Sequence, residues 1–149
     1  MNTHTIRVAF FLAISAVARA SHADGSGLHH AAYVELGGSA IRLSANYELQ
    51  PSHHLALRAG VGAGANLLVP VGASALVGAG EHQFEAGASV LLGRPSVLDG
   101  GNTVCSPLLG WRYTSDRSGL LLRATFVPMV QLGTGTIFPW AGVSGGMRF

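Results

Sequence analysis

Lysine is absent from this chain and cysteine occurs once. Charged residues make up only 11% of the 149 positions, where a soluble domain carries about a quarter. A single thiol excludes an internal disulfide scaffold. The nine basic residues are all arginine and face seven acids, so the formal charge of +2 creates no field that would gather nucleic acid. A disordered charged tail is excluded too, because 48% of the residues are hydrophobic. What remains is one compact domain, rich in glycine (21 residues) and poor in charge, a composition suited to lipid as solvent.

Arg7 precedes an apolar run from Val8 to Ala18, too short to span a bilayer and of the length of a signal-peptide core. Ala18-Arg19-Ala20 and Ser21-His22-Ala23 each offer small side chains for cleavage. The second is preferred. Residues 1–23 are therefore expected to form a secretory signal peptide and 24–149 a single barrel domain.

From there the chain reads with a period of two. Ile41-Arg42-Leu43-Ser44-Ala45-Asn46-Tyr47-Glu48-Leu49 is apolar at every odd position and polar at every even one, the signature of a strand with two unlike faces. The same alternation recurs over about 55–63, 67–78, 84–92, 107–114, 119–128 and 136–149, and before Ile41 over 32–37, with Gly37-Gly38-Ser39 as the break. This predicts an all-β fold of eight strands. Counting 33–49 as one strand would give seven. The second, fourth and sixth connections are short and the fifth and seventh long, as in an antiparallel up-and-down transmembrane β-barrel with short periplasmic turns and longer outer loops. The uncharged stretch 59–80 with its Gly60-x-x-x-Gly64 spacing suggests a membrane helix, but Pro70 and glycine at alternate positions argue for strands.

Alternation alone also fits a soluble periplasmic barrel that binds an apolar ligand inside. Two features turn the apolar face outward. The polar face is too sparse for a hydrated exterior. Tyr47, Phe84, Tyr113 and Phe149 also fall at one rim, as an interfacial aromatic girdle. Glu35, Arg42, Glu48, Arg58, Glu85, Arg112, Arg123 and Arg148 then line the lumen. A charge facing mid-bilayer costs roughly 2–4 kcal/mol, so their shared parity has a physical cause. Eight strands leave an interior just wide enough for side chains, and the expected core is a closed Arg/Glu network. The alternative is a narrow anion-preferring channel, since arginine outnumbers glutamate in this set.

His29-His30, His53-His54 and His82 fall near the periplasmic rim, where the functional alternative is a shared metal ion. Solvated turn histidines account for them better, because no carboxylate or cysteine lies at a ligand spacing. Ser96, Asp99, Cys105 and Ser106 occupy the longest connection without a visible base, so catalytic residues, metals and cofactors are not expected. Cys105 is expected to be a free, outward-projecting loop thiol.

Glu35-Leu36-Gly37-Gly38, Asn46-Tyr47-Glu48, Leu57-Arg58-Ala59-Gly60, Gly110-Trp111-Arg112-Tyr113, Pro139-Trp140-Ala141-Gly142 and Gly146-Met147-Arg148-Phe149 give residues 31–149 a resemblance to the small bacterial outer-membrane β-barrel proteins. The likeness is to the transmembrane domain of outer-membrane protein A and to an uncharacterised subgroup of such barrels. It implies a Gram-negative outer membrane, a porin-like architecture without an enzyme activity, a monomer, and membrane lipids as surroundings. Val143, Met147 and Phe149 share one face and resemble the terminal signal read by the barrel-assembly machinery. Ser144 departs from that signal, standing where glycine is usual, with Gly145 and Gly146 beside it.

Overall fold

The structure is a computed structural model that describes residues 28–63, 67–93, 103–132 and 135–149. The signal-peptide segment 1–23 and the loop bearing Ser96 and Asp99 lie outside the described residues. Ten strand segments follow in chain order: β1 His29–Gly37, β2 Leu43–Ser52, β3 Leu55–Ala63, β4 Val69–Ala79, β5 His82–Leu92, β6 Thr103–Thr114, β7 Leu120–Phe126, β8 Met129–Gln131, β9 Ile137–Phe138 and β10 Ala141–Arg148. Each pairs antiparallel with its neighbours, and β1–β10 and β5–β6 pairings close the sheet on itself.

The wall has eight staves rather than ten. β8 continues β7, and β9 leads into β10, without any change of register: Phe126 faces Ala141 below the interruption, and Val130 faces Ile137 above it. Stepping along that register sets Pro128 directly opposite Pro139. Neither proline has an N–H to give to the ladder, so both strands break at the same level. The Val127 N–H bonds the Trp140 carbonyl at 2.8 Å and holds the two broken strands together. No described helix is long and apolar enough to cross a membrane, which says nothing of strands. Segment 59–80 is two strands and the chain between them.

Period two dictates the two faces. Along β7, Leu121, Arg123 and Thr125 are buried while Leu120, Leu122, Ala124 and Phe126 are exposed. His29 at the start of β1, Phe149 and the connections at 53–54, 80–81 and 115–119 share one end of the barrel, called here the terminal end. The 38–42 turn, the ends of β3 and β5, the starts of β4 and β6, and the facing ends of β8 and β9 stand at the opposite end.

At that opposite end the chain departs from simple alternation. After Gly37 a 3₁₀ turn, Gly38–Ala40, folds into the barrel instead of passing directly into β2, and all three of its residues are buried. Gly37 and Gly38 take φ of +76° and +62°, and a Cβ on Gly37 would collide with the Ala141 carbonyl. Only glycine reverses the chain at this distance from its neighbour. Ile41 has φ of +76° as well, a conformation costing a β-branched residue on the order of 1–3 kcal/mol. Its side chain is held inside against Leu68, Leu91, Val104 and Met129. The expected strand start at Ile41 is thereby corrected to Leu43.

Candidate functional site: the lumen

The barrel interior divides into two parts. Nearer the opposite end lies the apolar plug of Ile41, Leu68, Leu91, Val104 and Met129, with the Ser39 hydroxyl bonded by the Ser89 hydroxyl at 3.0 Å. Below it the lumen is ionic. Glu85 accepts from Arg58 NH1 at 2.7 Å, from the Ser74 hydroxyl at 2.6 Å, and from Arg123 through Nε at 3.0 Å and NH2 at 2.9 Å. Arg123 also stands 4.9 Å from the centroid of the buried Tyr33 ring. Separately, Glu48 accepts from Arg112 NH2 at 2.5 Å and from Gln50 Nε2 at 2.9 Å. These charges come from β2, β3, β5, β6 and β7, converging because each sits at an inward parity of its strand.

Glu35 is buried at the boundary between the two parts. Its carboxyl occupies the space a Gly38 side chain would need, and it takes a hydrogen bond from the Ser39 backbone N–H. The double glycine therefore serves the inward turn twice, once in dihedral angle and once in room.

Two members of the expected lumen set stand elsewhere. Arg42 is exposed, because the Ile41 reversal turns the chain before β2 begins and removes it from the strand alternation. Arg148 reaches the terminal rim and pairs with Asp116 at 2.6 Å, where both side chains retain solvent. What lies inside is Arg58, Arg112 and Arg123 against Glu35, Glu48 and Glu85. The count is even, and the excess of positive charge on which an anion preference was argued is absent from the described lumen.

The four girdle aromatics stand toward the terminal end. Phe149 and Phe84 are largely exposed, and Tyr47 lies 6.5 Å from the Phe149 ring, with His30 stacked on Phe149 and bonded through Nδ1 to the Tyr47 hydroxyl at 2.6 Å. His82 stacks on Trp111 and lies against Tyr113. Trp111, also outward, is a rim aromatic the sequence reading left out; its odd position in β6 beside Tyr113 was the available signal. Val143, Met147 and Phe149 are exposed on one face of the closing strand. The described histidines gather at the terminal end, His29 and His53 with ring centroids 6.1 Å apart. Among the described residues no three His, Cys, Asp or Glu side chains form a metal-binding group.

Cys105 requires a correction. It lies inside β6, between Val90 of β5 and Val130 of β8, and is half-buried at an outward position. β6 starts at Thr103, four residues before the alternation becomes visible in the sequence.

No family model matches the chain, and no curated protein does. Among solved structures it is similar to the N-terminal β-barrel domain of Pseudomonas aeruginosa OprF, with a TM-score of 0.51 over 82% of this chain and 96% of that one, at 14% sequence identity. At that identity the likeness is one of fold. It places the chain in the eight-stranded antiparallel barrel class.

Proposed function

We propose that the chain is a non-enzymatic integral β-barrel of the bacterial outer membrane, with a structural or surface-interaction role and a closed lumen. The observation that carries this reading is the inversion of polarity. Val34, Leu36, Val77, Phe84, Leu109, Val143 and Met147 are each more than half exposed around the wall, while six charged side chains are buried inside. An apolar belt of that extent is unfavourable in water and favourable in hydrocarbon. It argues equally against a soluble ligand-binding barrel, which would carry its apolar face inward.

By the usual orientation of such barrels the terminal end faces the periplasm. The partners on this reading are outer-membrane lipids and, through Val143, Met147 and Phe149, the barrel-assembly machinery; the barrel works as a monomer and takes no nucleic acid. The described histidines stand at the terminal end, on this reading the periplasmic one.

The test is membrane fractionation combined with gel mobility. The protein is expected in the outer-membrane fraction, running as a compact band unboiled and as a slower one after boiling; recovery in the soluble periplasm would overturn the reading. Planar-bilayer recording separates a closed barrel from a narrow channel. The even charge count and the apolar plug lead to silence, and discrete anion-selective steps would favour the channel.

A further inference from the structure

The paired prolines leave a mark on the outside of the barrel. Beside them Phe126, Pro139, Trp140 and Ala141 line an open cleft of about 340 Å³. Its origin is the inward turn. β10 is paired to β1 only up to Gly142, opposite Gly37; the next positions of β1 have left the wall for the lumen, so Ala141, Trp140 and Pro139 have no strand beside them on that side. Pro139 presents no N–H along this edge, which removes one polar group from it, and the side chains that line the cleft are apolar.

A cation stands beside it. The Arg42 carbonyl accepts the Gly37 N–H at 2.5 Å, and Gly37 pairs with Gly142, which places Arg42 two strand spacings, about 10 Å, from the cleft edge. The Arg42 side chain is exposed, and among the described residues it makes no ion pair. Every other described arginine is either inside the lumen or at the terminal end. Among the described residues, the end opposite His29 and Phe149 thus offers one exposed guanidinium beside an apolar cleft with a tryptophan in it.

We infer that this cleft and Arg42 together form a binding site for an anionic glycolipid of the outer leaflet, with an acyl chain against Phe126, Pro139 and Trp140 and a headgroup phosphate on the Arg42 guanidinium. The inference rests on the membrane reading above, which turns this end toward the outer leaflet. Guanidinium is suited to phosphate because its planar fork donates two parallel hydrogen bonds, and an aromatic beside an acyl chain at the interface supplies contact area at small entropic cost. Without the phosphate the cleft would accept any acyl chain. Without the cleft Arg42 would attract any anion.

The test uses the full chain refolded in zwitterionic detergent with Trp111→Phe, which leaves Trp140 as the fluorophore. Bisphosphorylated lipid A should shift the Trp140 emission saturably. Arg42→Ala should raise the midpoint by about fivefold, removal of the lipid phosphates should do the same to the parent, and the two changes together should add nothing further. Arg42→Lys should recover part of the loss, which separates a charge contact from a folding defect. Equal midpoints for the parent and Arg42→Ala, or equal binding of phosphatidylglycerol and lipid A, would overturn the assignment. Failure of the parent to give a compact unboiled band would instead remove the membrane reading; a folded barrel without Arg42-dependent binding removes this inference alone.

Discussion

Arg123 and Glu85 are joined by two hydrogen bonds, Nε to Oε2 at 3.0 Å and NH2 to Oε1 at 2.9 Å, across the inside of the barrel. Both side chains are fully enclosed, and the same carboxylate holds Arg58. One glutamate from β5 thus fixes two arginines from β3 and β7, staves that are not adjacent to one another.

Removing such a hub leaves two buried cations poorly compensated. Glu85→Ala should destabilise the refolded barrel by on the order of 3–5 kcal/mol, and Arg58→Ala should also be costly. Arg148→Ala breaks an ion pair exposed at the rim and should change stability by less than about 1 kcal/mol. Urea titration followed by the unboiled compact band measures all three. Equal midpoints for Glu85→Ala and Arg148→Ala would contradict the enclosed network.

Cys105 provides a check on the outer wall. A membrane-impermeant maleimide should label it slowly in the folded barrel and rapidly in urea, with Cys105→Ser as the blank, because its strand is bonded on both edges and its side chain is half-buried. A small lipid-soluble maleimide should react faster than the impermeant one. Rapid labelling of intact cells by the impermeant reagent would return the thiol to a surface loop.

His29 lies at the terminal rim, beside His53 of a turn. Burial lowers its pKa first, with Arg148 and His53 adding like charge. A histidine lowered in the folded state binds fewer protons there than when unfolded, so its penalty appears as pH falls below about 6.5, the unfolded value, and disappears above it. The urea midpoint should therefore drop slightly between pH 7.5 and 5.5, and His29→Gln should reduce that drop. An unchanged pH slope in His29→Gln would assign the effect to another group.

How much of this was legible in the sequence follows from where alternation is clean. Around the ionic half, inward residues are polar and outward ones apolar, so the parity of Glu35, Glu48, Arg58, Glu85, Arg112 and Arg123 could be read directly. At the plug both faces are apolar. Val104 and Leu108 point inward while Pro107 and Leu109 point outward, so the first half of β6 shows little contrast, and the glycine-rich Asp99–Asn102 sequence before it makes the start of the strand read as loop. Ile41 and Arg42 fail for a related reason. They continue the alternation in sequence, yet the two glycines before them have already turned the chain inward, and the ladder resumes one turn later. The paired prolines could be counted in the sequence but their facing position could not, since it depends on the register between strands.

The pairing of β1 with β10 also sets an order in time. His30 and Phe149 exchange backbone hydrogen bonds at 3.0 and 2.8 Å, although more than a hundred residues of chain lie between them. Until the last stave has been synthesised, the first has an unpaired edge and the enclosed charges have no wall around them, so the nascent barrel is an open sheet with two adhesive borders. Folding cannot proceed stave by stave as the chain emerges. The polypeptide must be kept apart from its own copies until β10 arrives, and a chain cut short before Ala141 would leave both borders open for joining to a second molecule.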